Sequence, residues 1–426
     1  MVTLSNSKGK AMARSPAGPA WANLESHHRW LKDEEERLLR FHERHALEST
    51  VGFAPLDRDG TPRSESPREL YATARIVHCF SLAHLCGRPG AAAIAEHGLW
   101  AMTHEFVDKE NDGWFASVSR AGAAIDDTKS AYAHAFVVLA ASTAIQAGFA
   151  GGEELLDRAD RIIDLRFWHD DEGAMVDSFS ASWELLEPEY RGQNANMHLT
   201  EAYLGAFEAT GNEKFLRRAE RISELIVVRN GEPWNWRIPE HFDSSWAAVP
   251  AYNIDKPADP FRPYGSLIGH WLEWARLVLQ LHALPEARAE WAPAAARELF
   301  AAAVRDGWDE EHGGLVYSVD FDGSVVNADR MHWAMAEAVG AAVYLFRQTG
   351  APAYEGWYRE FWSYISRSVM DRQAGSWWHQ LDASGTPSFD VWPGKPDLYH
   401  AYQATLFARA DPSVGLATAA RKGLIR

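Results

Sequence analysis

Between Tyr264 and His282, apolar residues (Leu267, Ile268, Trp271, Leu272, Trp274, Leu277, Val278, Leu279 and Leu281) fall on every side of a helix. Such a helix must be covered by protein all round. Five other stretches, near 69–86, 129–147, 194–209, 332–348 and 397–409, are likewise almost free of charge. Each follows a charged amphipathic stretch, near 24–47, 91–108, 153–168, 213–229, 291–306 and 354–371. Short aromatic, glycine-bearing segments such as Asp112-Gly-Trp-Phe join the two kinds. Marked by one polar residue each (Arg75, His134, His198, His270, Glu337, His400), the apolar helices recur roughly every 60–70 residues, the signature of a repeated unit. Six helix pairs exceed a four-helix bundle, and an open solenoid does not need every second helix apolar all round. Closing the ring satisfies both facts. The spacing predicts an all-α (α/α)6 barrel, with short β-hairpins or loops gathered at one end around a pocket.

Residues 21–426 are expected to form this barrel as a single catalytic domain. Residues 1–20 (MVTLSNSKGKAMARSPAGPA) lack an apolar core and read as a disordered lead-in rather than a secretion signal. The net charge of −17 argues against nucleic acid and anionic membranes as partners. No apolar run is long enough to span a bilayer. The two cysteines, Cys79 and Cys86, lie two helical turns apart, beyond disulfide reach, and are expected as free core thiols in a reducing cytoplasm. The 19 Trp and 19 Phe suit a deep interior or a pocket that stacks on flat ligands. A monomer or homodimer is expected.

Histidines on the charged helices (His27, His28, His42, His45) read as solvated or structural. The polar residues near the starts of the apolar helices are different: His134, His198, His270 and His400, with Arg75, Glu273 and Glu337. Buried polar groups cost stability unless partnered, so their recurrence in successive repeats points to chemistry. His270-x-x-Glu273 invites a metal reading, but no His-Glu-x-x-His occurs and the remaining candidates are spread one per repeat. No phosphate-cradling glycine loop and no nucleophile elbow is present. No metal or cofactor is expected.

Four motifs then stand out in order: Arg191-Gly-Gln-Asn194-Ala-Asn-Met-His198, Gly269-His270-Trp-Leu-Glu273-Trp, Gly375-Ser-Trp-Trp and Trp392-Pro-Gly-Lys-Pro-Asp397-Leu-Tyr-His400. Together they resemble the N-acylglucosamine 2-epimerase superfamily, and within it the aldose–ketose isomerase branch, from about Trp21 to residue 410. The resemblance implies the same barrel and a monosaccharide substrate. It makes His270 and His400 the acid/base pair, places Asn194 and His198 on sugar hydroxyls, and sets Arg75 near the reacting carbonyl. Glu273 would support its neighbouring histidine. Glu337 and Trp333 would line the pocket, with Tyr132, Trp392 and Asp397 completing the substrate contacts. Two positions depart from the family pattern: Gln193 replaces glycine and His379 replaces glutamine. Both are expected to bear on sugar specificity.

The residues suit the implied reaction. Moving a carbonyl from C1 to C2 needs ring opening, removal of the C2 proton and its return at C1, for which imidazole has the appropriate pKa. The developing enediolate needs a cation such as Arg75. The expected reaction is interconversion of D-mannose and D-fructose, and of D-lyxose and D-xylulose. Rivals are a 2-epimerase, a sulfoquinovose isomerase, an inverting glycoside hydrolase recruiting Glu273, Glu337 or Asp397, and a non-catalytic sugar-binding protein. A sulfonate would need a cationic clamp. Only Arg237, Lys256 and Arg262, in the 234–263 loop with Trp234, Trp236, His241, Phe242 and Tyr252, could contribute one. That loop is a lid, a dimer contact or a plain surface connection.

Overall fold

The computed structural model describes residues 18–426, so the expected lead-in lies outside the described residues up to position 17. The chain alternates outer and inner helices as the periodicity predicts. In outer–inner order the pairs are α1 (Glu25–Glu43) and α2 (Leu70–Leu85), α3 (Ala91–His104) and α4 (Ala131–Ala147), α5 (Gly152–Ile162) and α6 (Gln193–Thr210). They continue with α7 (Glu213–Ser223) and α8 (Ile268–Ala283), α9 (Ala292–Gly307) and α10 (His332–Thr349), α11 (Pro352–Tyr364) and α12 (Tyr399–Phe407). Each inner helix packs on the next, and α12 meets both α10 and α2, which closes the (α/α)6 ring.

The division follows from the side chains. Every residue of α12 is buried, whereas α7 buries only the stripe Phe215, Leu216, Ala219, Ile222 and Ser223. Removing one Leu or Val side chain from water stabilises the fold by about 1.5–3 kcal/mol, so a helix that is apolar all round is held only if neighbours surround it. No described helix is long and apolar enough to cross a membrane. Cys79 is buried as expected, but Cys86 is exposed, because it caps the C-terminal end of α2 instead of facing the interior.

The two ends of the barrel differ because the connections differ. Inner helices turn directly into outer ones. α4, α6 and α10 stop at Gly148, Gly211 and Gly350, whose φ angles of 76°, 72° and 66° are left-handed and suit glycine. This end is overlaid by a short final helix, α13 (Leu416–Arg421), packed on α2, α4 and α6. Outer-to-inner connections are long and carry short strands. The strand leading into each of the first five inner helices pairs with a strand from the next repeat, as in Tyr190–Gly192 with His241–Asp243 and Arg330–Met331 with Gln380–Leu381. The rim is thus sewn from repeat to repeat.

A buried ion pair holds several of these connections. Asp108 Oδ1 accepts the backbone N–H groups of Glu110 and Asn111, while Lys129 Nζ, fully buried, donates to Oδ2 at 2.6 Å. Arg330 does the same for Asp309, Lys395 for Asp371, and Arg191 for Glu172 at 2.7 Å. In three of the four, the cation sits two residues before its inner helix begins, so the pair fixes where the helix starts. Burial opposes the charge on Asp108, but the bonds from Lys129 and the backbone hold its pKa down to about 2.

Removing one partner of such a pair leaves a buried charge uncompensated. Asp108→Asn should therefore destabilise the protein by about 3–5 kcal/mol. Adding Lys129→Met to it should recover more than half of that loss, measured by denaturant unfolding.

Candidate active site

The long connections surround a cavity at the strand-bearing end of the barrel, with about 830 Å³ of empty space when its open mouth is included. Its floor is built from the first turns of the inner helices. Arg75, Tyr132, Asn194, His198, His270, Glu273 and His400 reach it from α2, α4, α6, α8 and α12, and Trp333 and His332 from α10. Trp392 and Asp397, on the strand-to-α12 connection, complete the wall. Of the eleven residues expected from the sequence, ten line this cavity and Glu337 does not. The ring of Trp333 lies between the two histidines, with centroids 5.0 Å from His270 and 5.9 Å from His400. Gly269 permits this, since a Cβ there would stand 2.2 Å from the Trp333 ring.

Each histidine of the pair has its Nδ1 engaged from behind. His400 Nδ1 lies 3.2 Å from Glu337 Oε1. Glu337 is thus a support for His400 rather than a substrate contact. Burial lowers the His400 pKa below its ordinary value, against the pull of Asp397 and Glu337 in the opposite direction. His270 Nδ1 lies 2.8 Å from Glu240 Oε2, and Glu240 was not anticipated. The expected support, Glu273, faces His198 and Arg276 instead, at 3.6 and 3.7 Å. The three-residue spacing puts Glu273 one turn deeper on α8, where it points across the barrel axis and not back along its own helix. In both histidines Nε2 is left to face the cavity.

Beneath the floor lies one guanidinium, Arg276, fully buried on α8. Its Nε donates to Glu337 Oε2 at 2.6 Å, and Glu201 and Glu273 stand 3.6 and 3.7 Å from its terminal nitrogens. One cation cannot hold three carboxylates ionised. Glu337 has the direct bond: burial works against its charge, but Arg276 and His400 hold its pKa below the ordinary value. Glu273 has none, and burial together with the charge of Glu337 pushes its pKa well above the carboxylate range. Its protonated form is thereby favoured.

Arg75 lies on the opposite wall. Its guanidinium donates to Tyr132 Oη at 2.7 Å and Asp397 Oδ1 at 3.3 Å, and stacks 4.3 Å from the Phe136 ring centroid. Burial opposes its charge, yet Tyr132 and Asp397 outweigh this, so it stays cationic. His198 is neutral: burial, then the charge of Arg75, lowers its pKa well below 6.5. The buried Oδ1 of Asn194 has no hydrogen-bond partner within the protein, so a sugar hydroxyl is a fitting donor for it.

His332, also unanticipated, donates from Nε2 to Asp397 Oδ2 at 3.0 Å. His379 lines the cavity, and its Nε2 accepts the backbone N–H of Asp397 at 2.8 Å. Gln193 does not reach the cavity at all. It is fully buried behind His270, so any bearing it has on sugar specificity is through that histidine and not by contact with the cavity. His134 is likewise displaced, bonding Ser130 O and packing on Trp114 and Phe167.

Among the described residues, two groups present three metal-type ligands each, His332–His379–Asp397 and His198–Glu201–Glu273. In the first, the ring nitrogens are already committed to Asp397 and its backbone. In the second, Arg276 occupies the place a cation would take. Neither donor set suits a metal.

The 234–263 loop reaches the mouth through Pro260, Phe261 and Pro263, and the rings of Phe261 and Trp392 meet edge-on at 6.2 Å. Of its three cations, Arg237 pairs with Asp306 and Arg262 with Asp177 and Glu187, while Lys256 is exposed.

A family model described as N-acylglucosamine 2-epimerase (GlcNAc 2-epimerase) matches residues 52–404. The chain is 45% identical over 392 residues to a D-mannose isomerase of Thermobifida fusca, covering 90% of this chain and 95% of that one. It is 43% identical over 405 residues to a D-mannose isomerase of Pseudomonas cannabina pv. alisalensis, covering 94% and 97%. A crystal structure of D-mannose isomerase superposes with a TM-score of 0.83 at 30% identity, covering 91% of this chain and 98% of the other.

The His400–Glu337 contact has a measurable signature. The Glu337 carboxylate favours the imidazolium, while burial disfavours it. His400 should titrate below pH 6.5 in NMR of histidine-labelled protein, and Glu337→Gln should move its midpoint further down.

Proposed function

The chain belongs to the N-acylglucosamine 2-epimerase family, and from that premise we propose that it is an aldose–ketose isomerase interconverting D-mannose and D-fructose, with D-lyxose and D-xylulose as a second pair. The observation that carries this reading is the facing of two buried imidazoles, His270 and His400, across one cavity that also holds a guanidinium. Base, acid and oxyanion partner are the three things an enediolate route needs.

The steps follow from the placement of the groups. The sugar ring opens when a proton moves from the C1 hydroxyl to the ring oxygen, and His270 Nε2 mediates that transfer. His400 Nε2 then takes the C2 proton. The C2–H electrons form the C1=C2 bond and the carbonyl electrons move onto O1, whose charge Arg75 meets. His270 carries the proton from O2 to O1, C2 becomes the carbonyl, and His400 returns its proton to C1. No electrons leave the sugar, so no external oxidant or reductant enters. Neutral Glu273 donates to a sugar hydroxyl, Asn194 accepts from one, and His198, Tyr132 and Trp392 hold the rest.

The engaged arginines favour a neutral sugar over sulfoquinovose, since a sulfonate would find only the exposed Lys256 unless Arg237 or Arg262 abandoned a carboxylate. The hydrolase reading lacks its acid/base pair, because Glu337 is bound to Arg276 and Asp397 lies between Arg75 and His332. A shared barrel does not carry function by itself.

His400→Ala should abolish exchange of the C2 hydrogen with solvent and lower kcat by about 10²–10⁴-fold. Exchange at the wild-type rate would overturn the assignment. Incubation with mannose, lyxose, glucose, N-acetylglucosamine, cellobiose and sulfoquinovose, with products read by NMR, should give fructose from mannose. Glucose as the main product would favour 2-epimerisation. Turnover of mannose should survive exhaustive EDTA treatment.

A further inference from the structure

Behind His270 lies an arrangement that the acid/base reading does not use. Trp274 Nε1 donates to Gln193 Oε1 at 2.8 Å. An indole nitrogen can only donate, so the amide oxygen must face it and the amide nitrogen must face the other way. There Gln193 Nε2 stands 2.7 Å from Glu240 Oε2 and 2.7 Å from His270 Nδ1, which are themselves 2.8 Å apart. Glu240 is fixed in turn: Oε1 accepts the N–H of Leu267 at 3.2 Å, and its carbonyl accepts the N–H of Gln193 at 3.1 Å. All four side chains are buried.

This triangle can be filled in two ways. Either Nδ1 carries the proton and donates to Glu240 beside the amide, or Nδ1 is bare and accepts from the amide. The first gives Glu240 two donors but leaves the two N–H groups 2.7 Å apart with no bond between them; the second takes a donor from Glu240 and turns a bare Nδ1 lone pair on its carboxylate at 2.8 Å. Hydrogen bonds to an ionised acceptor are about twice as strong as neutral ones, and a dry site widens that difference. The first filling prevails.

We propose that Gln193 is a positioning residue: oriented by Trp274, it holds Glu240 against His270 so that the imidazole keeps its proton on Nδ1 and meets the sugar with a bare Nε2. It does not touch the sugar, and the proposal rests on the reading of His270 as an acid/base group. With the amide removed, Glu240 loses a donor and a constraint. Its undiluted charge then favours the imidazolium, and the acid limb of kcat/KM moves to higher pH.

The test compares wild type with Gln193→Met and Trp274→Phe. Long-range proton–nitrogen spectra of histidine-labelled protein, with His270→Asn to assign the signal, should show His270 of the wild type protonated at Nδ1 and bare at Nε2 when neutral. Both variants should show a mixture of tautomers. They should also lose kcat by about ten- to a hundredfold with KM little changed, and raise the acid limb. The double variant should be no worse than Gln193→Met alone. A bare Nδ1 in the wild type, or a folded Gln193→Met with unchanged kcat and pH profile, overturns the proposal. Trp274→Phe carries the same readouts if Gln193→Met does not fold. The tautomer spectrum does not depend on turnover, so it distinguishes failure of this inference from failure of the isomerase reading.

Discussion

A single guanidinium buried on the barrel axis sets the charge state of the whole floor. Desolvating Arg276 is costly, and only close carboxylates can compensate for it. The bond to Glu337 does so, and from that bond the rest follows. Glu337 stays ionised and supports His400. Glu273, without such a bond, is pushed toward its protonated form by burial and by the charge of Glu337. Apolar helices alone would close a ring, but they would not decide which of two neighbouring carboxyls carries a proton. Glu201, held by Tyr399, extends the same group of charges toward the far end of the barrel.

The architecture was legible because it follows from periodicity. A helix that is apolar all round, alternating six times with a one-sided helix, has few arrangements open to it, and side-chain contacts are not needed to find them. His270, His400 and Arg75 were legible for a related reason: each stands out against an apolar helix. Their partners were not. Spacing reports neighbours on one helix, so Glu273 was paired with His270. The actual partner, Glu240, lies thirty residues upstream in a loop with no period. Gln193 and Trp274 act through a triangle formed by three separate segments, and nothing in the local sequence of any one of them indicates it. His332 opens its helix beside a tryptophan, and that position was the available signal. The rim pairs left a trace that could have been read: an acid some twenty residues before a cation placed just ahead of an apolar helix, as in Asp108 with Lys129 and Asp309 with Arg330.

The two imidazoles illustrate how burial tunes chemistry without extra groups. Both sit in a dry floor beside a carboxylate, yet the carboxylates are held differently. Glu337 faces His400 from an ion pair with Arg276, whereas Glu240 faces His270 from a lattice of neutral donors. The two histidines are thereby given different electrostatic surroundings, one facing an ion pair and the other a set of neutral donors.

The short helix laid across α2, α4 and α6 has a kinetic meaning. The catalytic cavity opens at the opposite end, so sugars come and go past Phe261 and Trp392. Aldose and ketose then queue for one doorway, and neither can enter until the other has left. Each is a competitive inhibitor of the other's conversion. The direction of net flow is set by how their concentration ratio outside compares with the equilibrium constant, which the protein does not alter.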